Sequence, residues 1–225
     1  MVTGSSNTSS DDAANMAPVA AIILDIGNVI CEWNPEKLAR SVLTPEQAAD
    51  VASVEKLIDD TIRHADWASL DRGTMALADA IENAKLRSSF EPSRVEQLYH
   101  NTPKSLEPLP VTVAAMHEVK TAGMPLYILS NMQKHAGEYL QKQHEFFALV
   151  DHIILSCDCG LLKPEAEIYQ HTIKTLGLEA ATSVFIDDMK ENVEGAIASG
   201  LQSIQMTDIH AGGDIIRALL ARAST

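Results

Sequence analysis

The sequence predicts an α/β fold, a parallel-sheet core with a small helical insertion after its first strand, on three observations. Residues 21–24 form a short apolar run without alternation, closed by Asp25 and the turn signal Gly27-Asn28. That is the pattern of a strand buried on both faces. From Pro108 onward, short apolar runs alternate regularly with segments of helical period, which implies right-handed crossovers and a sheet covered on both sides. Between Asn34 and about Glu107 helical periodicity dominates and strand signals vanish. The expected division is therefore residues 18–33 and 108–225 for the core and 34–107 for the insertion. A chain of 225 residues, 46% of them apolar, can fill one large core and a small accessory unit.

Taken in order, residues 1–17 are rich in Ser, Thr, Asn and Asp and lack the basic start and apolar middle of a signal peptide, so they read as a disordered tail. Pro18 precedes the first strand. In the insertion, Thr44-Pro45-Glu46 reads as an N-cap followed by a proline at the first helical position. Val51, Val54, Leu57, Ile58 and Ile62 then fall on one helical face. Asp71-Arg72-Gly73-Thr74 reads as a break. Met75, Leu77, Ala78 and Ile81 mark another helix, and Val95, Leu98 and Tyr99 a third. Beyond the insertion, helices are expected over 111–121 (closed by Gly123), 133–143, 164–176 (closed by Gly177), 192–199 (ending at Gly200) and 214–223. Strands are expected over 126–129, 153–155, 184–186 and 202–206.

Composition narrows the function. A net charge of −14 makes nucleic acid and anionic membrane surfaces poor partners, and a phosphate-bearing ligand would need a locally positive or metal-containing site. No apolar run approaches the ~20 residues of a membrane span. Cys31, Cys157 and Cys159 form no zinc or disulfide spacing, which fits a reducing, cytoplasmic setting. Nothing in the sequence speaks to oligomeric state.

Three predicted strands end in polar residues: Asp25, Ser130-Asn131 and Asp187-Asp188, while Lys163-Pro164 follows the third strand. Each has an ordinary reading alone. Asp187-Asp188 and Ser130-Asn131 suit helix caps, and Lys163 suits a solvated loop. In a parallel sheet, however, all strand carboxyl ends share one edge, where α/β proteins bind their ligands. Facing carboxylates repel, and a hard cation such as Mg²⁺ between them removes the repulsion. Carboxylate, metal, lysine and hydroxyl around one point make a phosphate-handling site.

The four motifs resemble those of the haloacid dehalogenase (HAD) superfamily, in the same order: Ile23-Leu24-Asp25-Ile26-Gly27-Asn28-Val29-Ile30; Ile128-Leu129-Ser130-Asn131; Gly160-Leu161-Leu162-Lys163-Pro164-Glu165-Ala166-Glu167-Ile168-Tyr169; and Val184-Phe185-Ile186-Asp187-Asp188-Met189-Lys190-Glu191-Asn192. The resemblance covers about residues 19–207. It is greatest to bacterial sugar-1-phosphate phosphatases and the phosphatase domain of soluble epoxide hydrolase. It implies a Rossmann-like parallel-sheet core with a small α-helical cap. It also implies a Mg²⁺-dependent phosphatase that hydrolyses a small phosphate monoester, a sugar phosphate being favoured, through an aspartyl-phosphate on Asp25. Asp25, the Gly27 carbonyl and Asp188 would hold the metal, with Asp187 supporting them. Ser130, Asn131 and Lys163 would bind the phosphoryl group, Ser130 and Lys163 acting in catalysis with Asp25.

One position departs from the family pattern. Where most phosphatases of the superfamily carry an acid/base aspartate, this chain has Gly27, a loss worth roughly 10²–10⁴ in rate. Three readings follow: proton transfer through water, substrate or another side chain, with Glu32 as one substitute; action on acyl phosphates, diphosphates or prenyl phosphates; or a silent phosphate binder. The glycine itself suits a left-handed turn just after the strand. A metal-free dehalogenase is disfavoured by the paired acids Asp187-Asp188. Substrate choice falls to the cap, where His64, Asp66, Trp67, Asp71 and Arg72 are expected to face the site. Trp67 would stack on a sugar, Arg72 would bind a second anion, and Trp33-Asn34 would form the hinge and line the entrance.

Overall fold

A computed structural model describes residues 18–223; the expected tail, residues 1–17, lies outside them. Five parallel strands form the sheet: β1 (Ala21–Leu24), β4 (Leu126–Ser130), β5 (His152–Leu155), β6 (Ser183–Asp187) and β7 (Gln202–Gln205), in the order β5-β4-β1-β6-β7. Two short strands, β2 (Cys31–Glu32) and β3 (Glu107–Pro108), pair antiparallel outside it. Strand β1 is central, with Ile23 opposite both Tyr127 and Phe185.

The lack of alternation in β1 is explained by its surroundings, since helices cover both faces. Ile22 and Leu24 enter one core with Ala115, Met116 and Val119 of α7 (Pro110–Ala122) and Ile215, Ile216 and Leu219 of α12 (Gly212–Leu220). Ile23 enters the other, with Phe185, with Ile168 and Tyr169 of α10 (Ala166–Leu176) and with Ala196 of α11 (Lys190–Ala198). Each fully buried Ile or Leu contributes roughly 1.5–3 kcal/mol. Helix α8 (Lys134–Gln143) lies between β4 and β5, and one turn, α9 (Ser156–Cys159), follows β5. Gly123 and Gly177 close α7 and α10 in the left-handed conformation, as anticipated.

Between β2 and β3 run six helices: α1 (Pro35–Val42), α2 (Pro45–Ala49), α3 (Val51–Asp60), α4 (Ala65–Asp71), α5 (Leu77–Arg87) and α6 (Pro92–Asn101). They bury a separate apolar cluster that includes Leu38, Val54, Leu57, Ile58, Leu98 and Tyr99. The capping box at Thr44 is present, with Gln47 as its partner. The helix it opens is short, because the Asp50 carboxylate accepts from Ser53 N–H at 2.9 Å and starts a new one. Val51 therefore leaves the expected apolar face and is 64% exposed. Other expected boundaries shift by one to three residues. Glu165 is extended, so α10 begins at Ala166 rather than Pro164, and the Lys163–Pro164 peptide is cis. Helix α9 is a single turn with no periodic signal of its own.

Candidate active site

The strand ends meet on one rim. Asp25 follows β1, its N–H donating to Ile186 O at 3.0 Å, while Ser130 closes β4 and Asp187 closes β6. Asp25, Asp187 and Asp188 offer carboxylate oxygens that all lie within 4.8 Å of one another. Lys163 reaches in from the loop after α9. Its Nζ lies 2.9 Å from Asp25 Oδ1 and 2.6 Å from Asp187 Oδ2 and donates to Leu129 O at 3.2 Å. It also sits 5.2 Å from the centre of the Phe185 ring. The side chain is only 1% exposed. Burial by itself pulls the ammonium pKa down; Asp187 and Asp25 outweigh that, and the net shift is upward, so Lys163 stays charged.

The two adjacent aspartates do different things. Asp187 is completely buried and fully engaged. Besides Lys163, it accepts from Asn192 Nδ2 at 3.0 and 3.1 Å and from Met189 N–H at 2.8 Å. Asp188 faces the pocket, and among the described residues its carboxylate accepts from one side chain, Asn28 Nδ2 at 2.9 Å. Burial raises the Asp188 carboxyl and pushes Asp25 up to about 6, against the pull of Lys163. Asp25 Oδ1 is within ion-pair range of the ammonium yet makes no directed hydrogen bond among the described residues. Two desolvated carboxylates with oxygens left over suit a hard divalent cation with oxygen ligands. Gly27 lines the same pocket.

Several expected residues are otherwise engaged. Asn131 lines the pocket and also grips the lysine loop: one Nδ2 hydrogen goes to Lys163 O and Oδ1 accepts from Lys163 N–H, both at 2.9 Å, while the second Nδ2 hydrogen is left for an anion. It holds the lysine loop against β4. Arg72 is not available for a second anion, since its guanidinium donates to both Glu165 oxygens and to Gly160 O. His64 caps α4 through Asp66 N–H and does not line the pocket, and Asp66 pairs with Arg87 at 2.6 Å. Glu32 lies on β2 beside Lys37, away from the pocket, so it does not replace the missing acid. The left-handed residue in the first loop is Asn28, at φ 53°, and not Gly27. A Cβ at Gly27 would meet only ordinary contacts, 3.7 Å from Trp33 Cβ and 4.0 Å from Asp25 Oδ2.

Trp33, Trp67, Asp71 and Ser130 do line the pocket, with the indoles 6.1 Å apart and stacked. Trp67 also packs at 5.6 Å on Tyr99 inside the helical insertion. Residues that sequence reasoning left unassigned complete the site: Asn28 on Asp188, Asn192 on Asp187, and Ser156, which holds Met132 N–H at 2.9 Å. Asn28 and Asn192 stand inside the quoted motifs, where their amides were the available signal.

A family model described as haloacid dehalogenase-like hydrolase matches residues 19–200. The chain belongs to this family. It is an enzyme of the hydrolase class with the HAD fold. Among HAD relatives, a sesquiterpene phosphatase, astK, of Aspergillus oryzae is 27% identical over 188 residues, covering 84% of this chain and 90% of that one. A phosphoglycolate phosphatase of Neisseria gonorrhoeae is 22% identical over 192 residues, covering 84% and 80%. A HAD family enzyme of Bacteroides thetaiotaomicron, bt-2542, crystallised as a mutant with magnesium and inorganic phosphate, superposes with a TM-score of 0.66 at 14% identity, covering 83% and 93%. Among the described residues, no helix is long and apolar enough to cross a membrane.

Proposed function

We propose that this HAD protein is a Mg²⁺-dependent phosphatase that transfers the phosphoryl group of a small monoester to Asp25 and then to water. The reading rests chiefly on Lys163, an ammonium buried between Asp25 and Asp187 and fixed by Asn131. A lysine is almost never buried this deeply unless it is paired, and such buried, perturbed charges cluster at functional sites. Asp25, Asp188 and the Gly27 carbonyl would hold Mg²⁺, which would neutralise the phosphoryl oxygens and the two carboxylates. Asp187 takes no direct part; it keeps Lys163 charged and aimed at the nucleophile. Ser130, beside Asp25, would donate to a phosphoryl oxygen. The aspartyl-phosphate would split one difficult displacement into two easier ones.

For the alcohol, an apolar group now fits better than a sugar. Trp33, Trp67, Leu106, Met132, Ala136 and Met189 surround the carboxylates, and Arg72 is already paired. The similarity to a sesquiterpene phosphatase points the same way. The experiment is phosphate release from an isoprenyl monophosphate, a hexose 1-phosphate and an aryl phosphate, with Mg²⁺ and with EDTA. The expected result is Mg²⁺-dependent release, fastest from the isoprenyl ester, that falls about 10³-fold or more in Asp25→Asn. No release from any ester would leave a silent binder as the better account.

A further inference from the structure

We propose that Asp71, carried on the helical insertion, is the proton donor to the leaving oxygen in this reaction. The inference rests on the phosphatase reading above and goes beyond it by naming the group that stands in for an acid at Gly27. Elimination gives the first argument. The titratable residues lining the pocket are Asp25, Asp71, Lys163 and Asp188. Asp25 is the nucleophile, Lys163 is held by two carboxylates, and Asp188 is bound by Asn28 and assigned to the metal. Only Asp71 has no other task.

The second argument is mechanical. Asp71 ends α4, and three consecutive residues there are pinned to the core. Ser156 Oγ donates to the Asp71 carbonyl, and Arg72 donates to Gly160 O at 3.0 Å and to Glu165. Gly73, at φ 74°, lies so close to the Cys157 carbonyl that no Cβ would fit between them. Such pinning is what a proton-transfer group needs, since a misplacement of about 1 Å can cost 10²-fold. The backbone that carries the Asp71 carboxyl is therefore fixed to the core, and the side chain lines the same pocket as Asp25 although the two stand on different units.

The surroundings also suit an acid. Burial pushes Asp71 up to about 7; the Gln133 carboxamide facing it and Lys163 pull it back, and Asp25 adds to the rise. The buried Gln133 amide makes no hydrogen bond among the described residues, so it is free to turn to Asp71. From α9, the Cys157 thiol sits near enough to be raised partly by Asp71.

The step balances as follows. An Asp25 oxygen forms a bond to phosphorus, and the bond from phosphorus to the ester oxygen breaks. The ester oxygen takes that electron pair and the Asp71 proton and leaves as the alcohol. Water then attacks the phosphorus of the aspartyl-phosphate and gives a proton to the Asp71 carboxylate. The bond to Asp25 breaks and its electron pair returns to Asp25, releasing phosphate and restoring the Asp25 carboxylate and the protonated Asp71.

The test compares wild type and Asp71→Asn on a saturated alkyl phosphate and on 4-nitrophenyl phosphate, through kcat/KM, which covers the steps up to alcohol release. A poor leaving group needs the proton and nitrophenolate does not. The expected loss is about 10²–10⁴-fold on the alkyl ester and within about tenfold on the nitrophenyl ester. An equal loss on both would make Asp71 a structural part of the pocket, and no loss on the alkyl ester would remove it from the chemistry; either overturns the inference alone. A wild type that releases phosphate from neither ester overturns the phosphatase reading as well.

Discussion

At the scale of single residues, the site is a problem in keeping charge buried. Lys163 neutralises two carboxylates that otherwise face each other in the core. Removing one partner from such a group costs about 3–5 kcal/mol, because the remaining charge stays desolvated. Lys163→Met is therefore expected to melt well below wild type at pH 8, and calorimetry at pH 5 should show a smaller gap. The sign follows from Asp25. Its folded pKa, about 6, lies above the ordinary 3.8. Its protonated form therefore favours the fold, and that contribution fades as pH rises through 6. At low pH a proton on Asp25 takes over part of the lysine's task. The acids and the lysine were legible in the sequence because strand ends in a parallel sheet converge whatever their spacing. The restraints on them were not: Arg72 meets Glu165 across 93 positions, and Asn131 meets Lys163 across 32. A lone Arg or Asn carries no mark of its partner, so Arg72 read as an open donor and the hold of Asn131 on the lysine loop went unseen.

At the scale of elements, strands were the easiest to read and short helices the hardest. A strand buried on both faces is apolar at every position, as Ile22, Ile23 and Leu24 are, and that needs no partner to recognise. Helix α9 has four residues, too few to display a period, yet it carries Ser156 and Cys157, against which Asp71 and Gly73 dock. Likewise the stop at Asp50 was invisible, because an aspartate is equally at home in a helix surface and at a cap. The docking of α4 on α9 can be measured. Gly73→Ala adds a Cβ at a left-handed position, worth about 1 kcal/mol or more, and also meets the Cys157 carbonyl at a distance real Cβ atoms do not show. Urea denaturation is expected to show a loss of about 1–3 kcal/mol, accompanied by a raised KM as the insertion shifts against the rim.

At the scale of the whole molecule, metal binding ties the rim to global stability. An ion that binds only the folded chain stabilises it by about 2.7 kcal/mol at a hundred times its Kd, which is roughly 5–10 °C in Tm for a chain of this size. Differential scanning fluorimetry at pH 8 should show that rise with Mg²⁺ and its reversal by EDTA. At pH 5 the rise should shrink, because Asp25 and Asp188, both with raised pKa values, must give up protons before they can hold the ion. The antiparallel ribbon of β2 and β3 has a consequence of its own. It sets Cys31 beside Pro108 and Glu32 beside Glu107, so the excursion of six helices departs and returns through one narrow doorway. A segment with adjoining ends can be lengthened, trimmed or exchanged for another without rethreading the five strands behind it. Evolution could thus refit the alcohol pocket while leaving the phosphoryl machinery alone, and the acid on α4 would travel with the exchanged part.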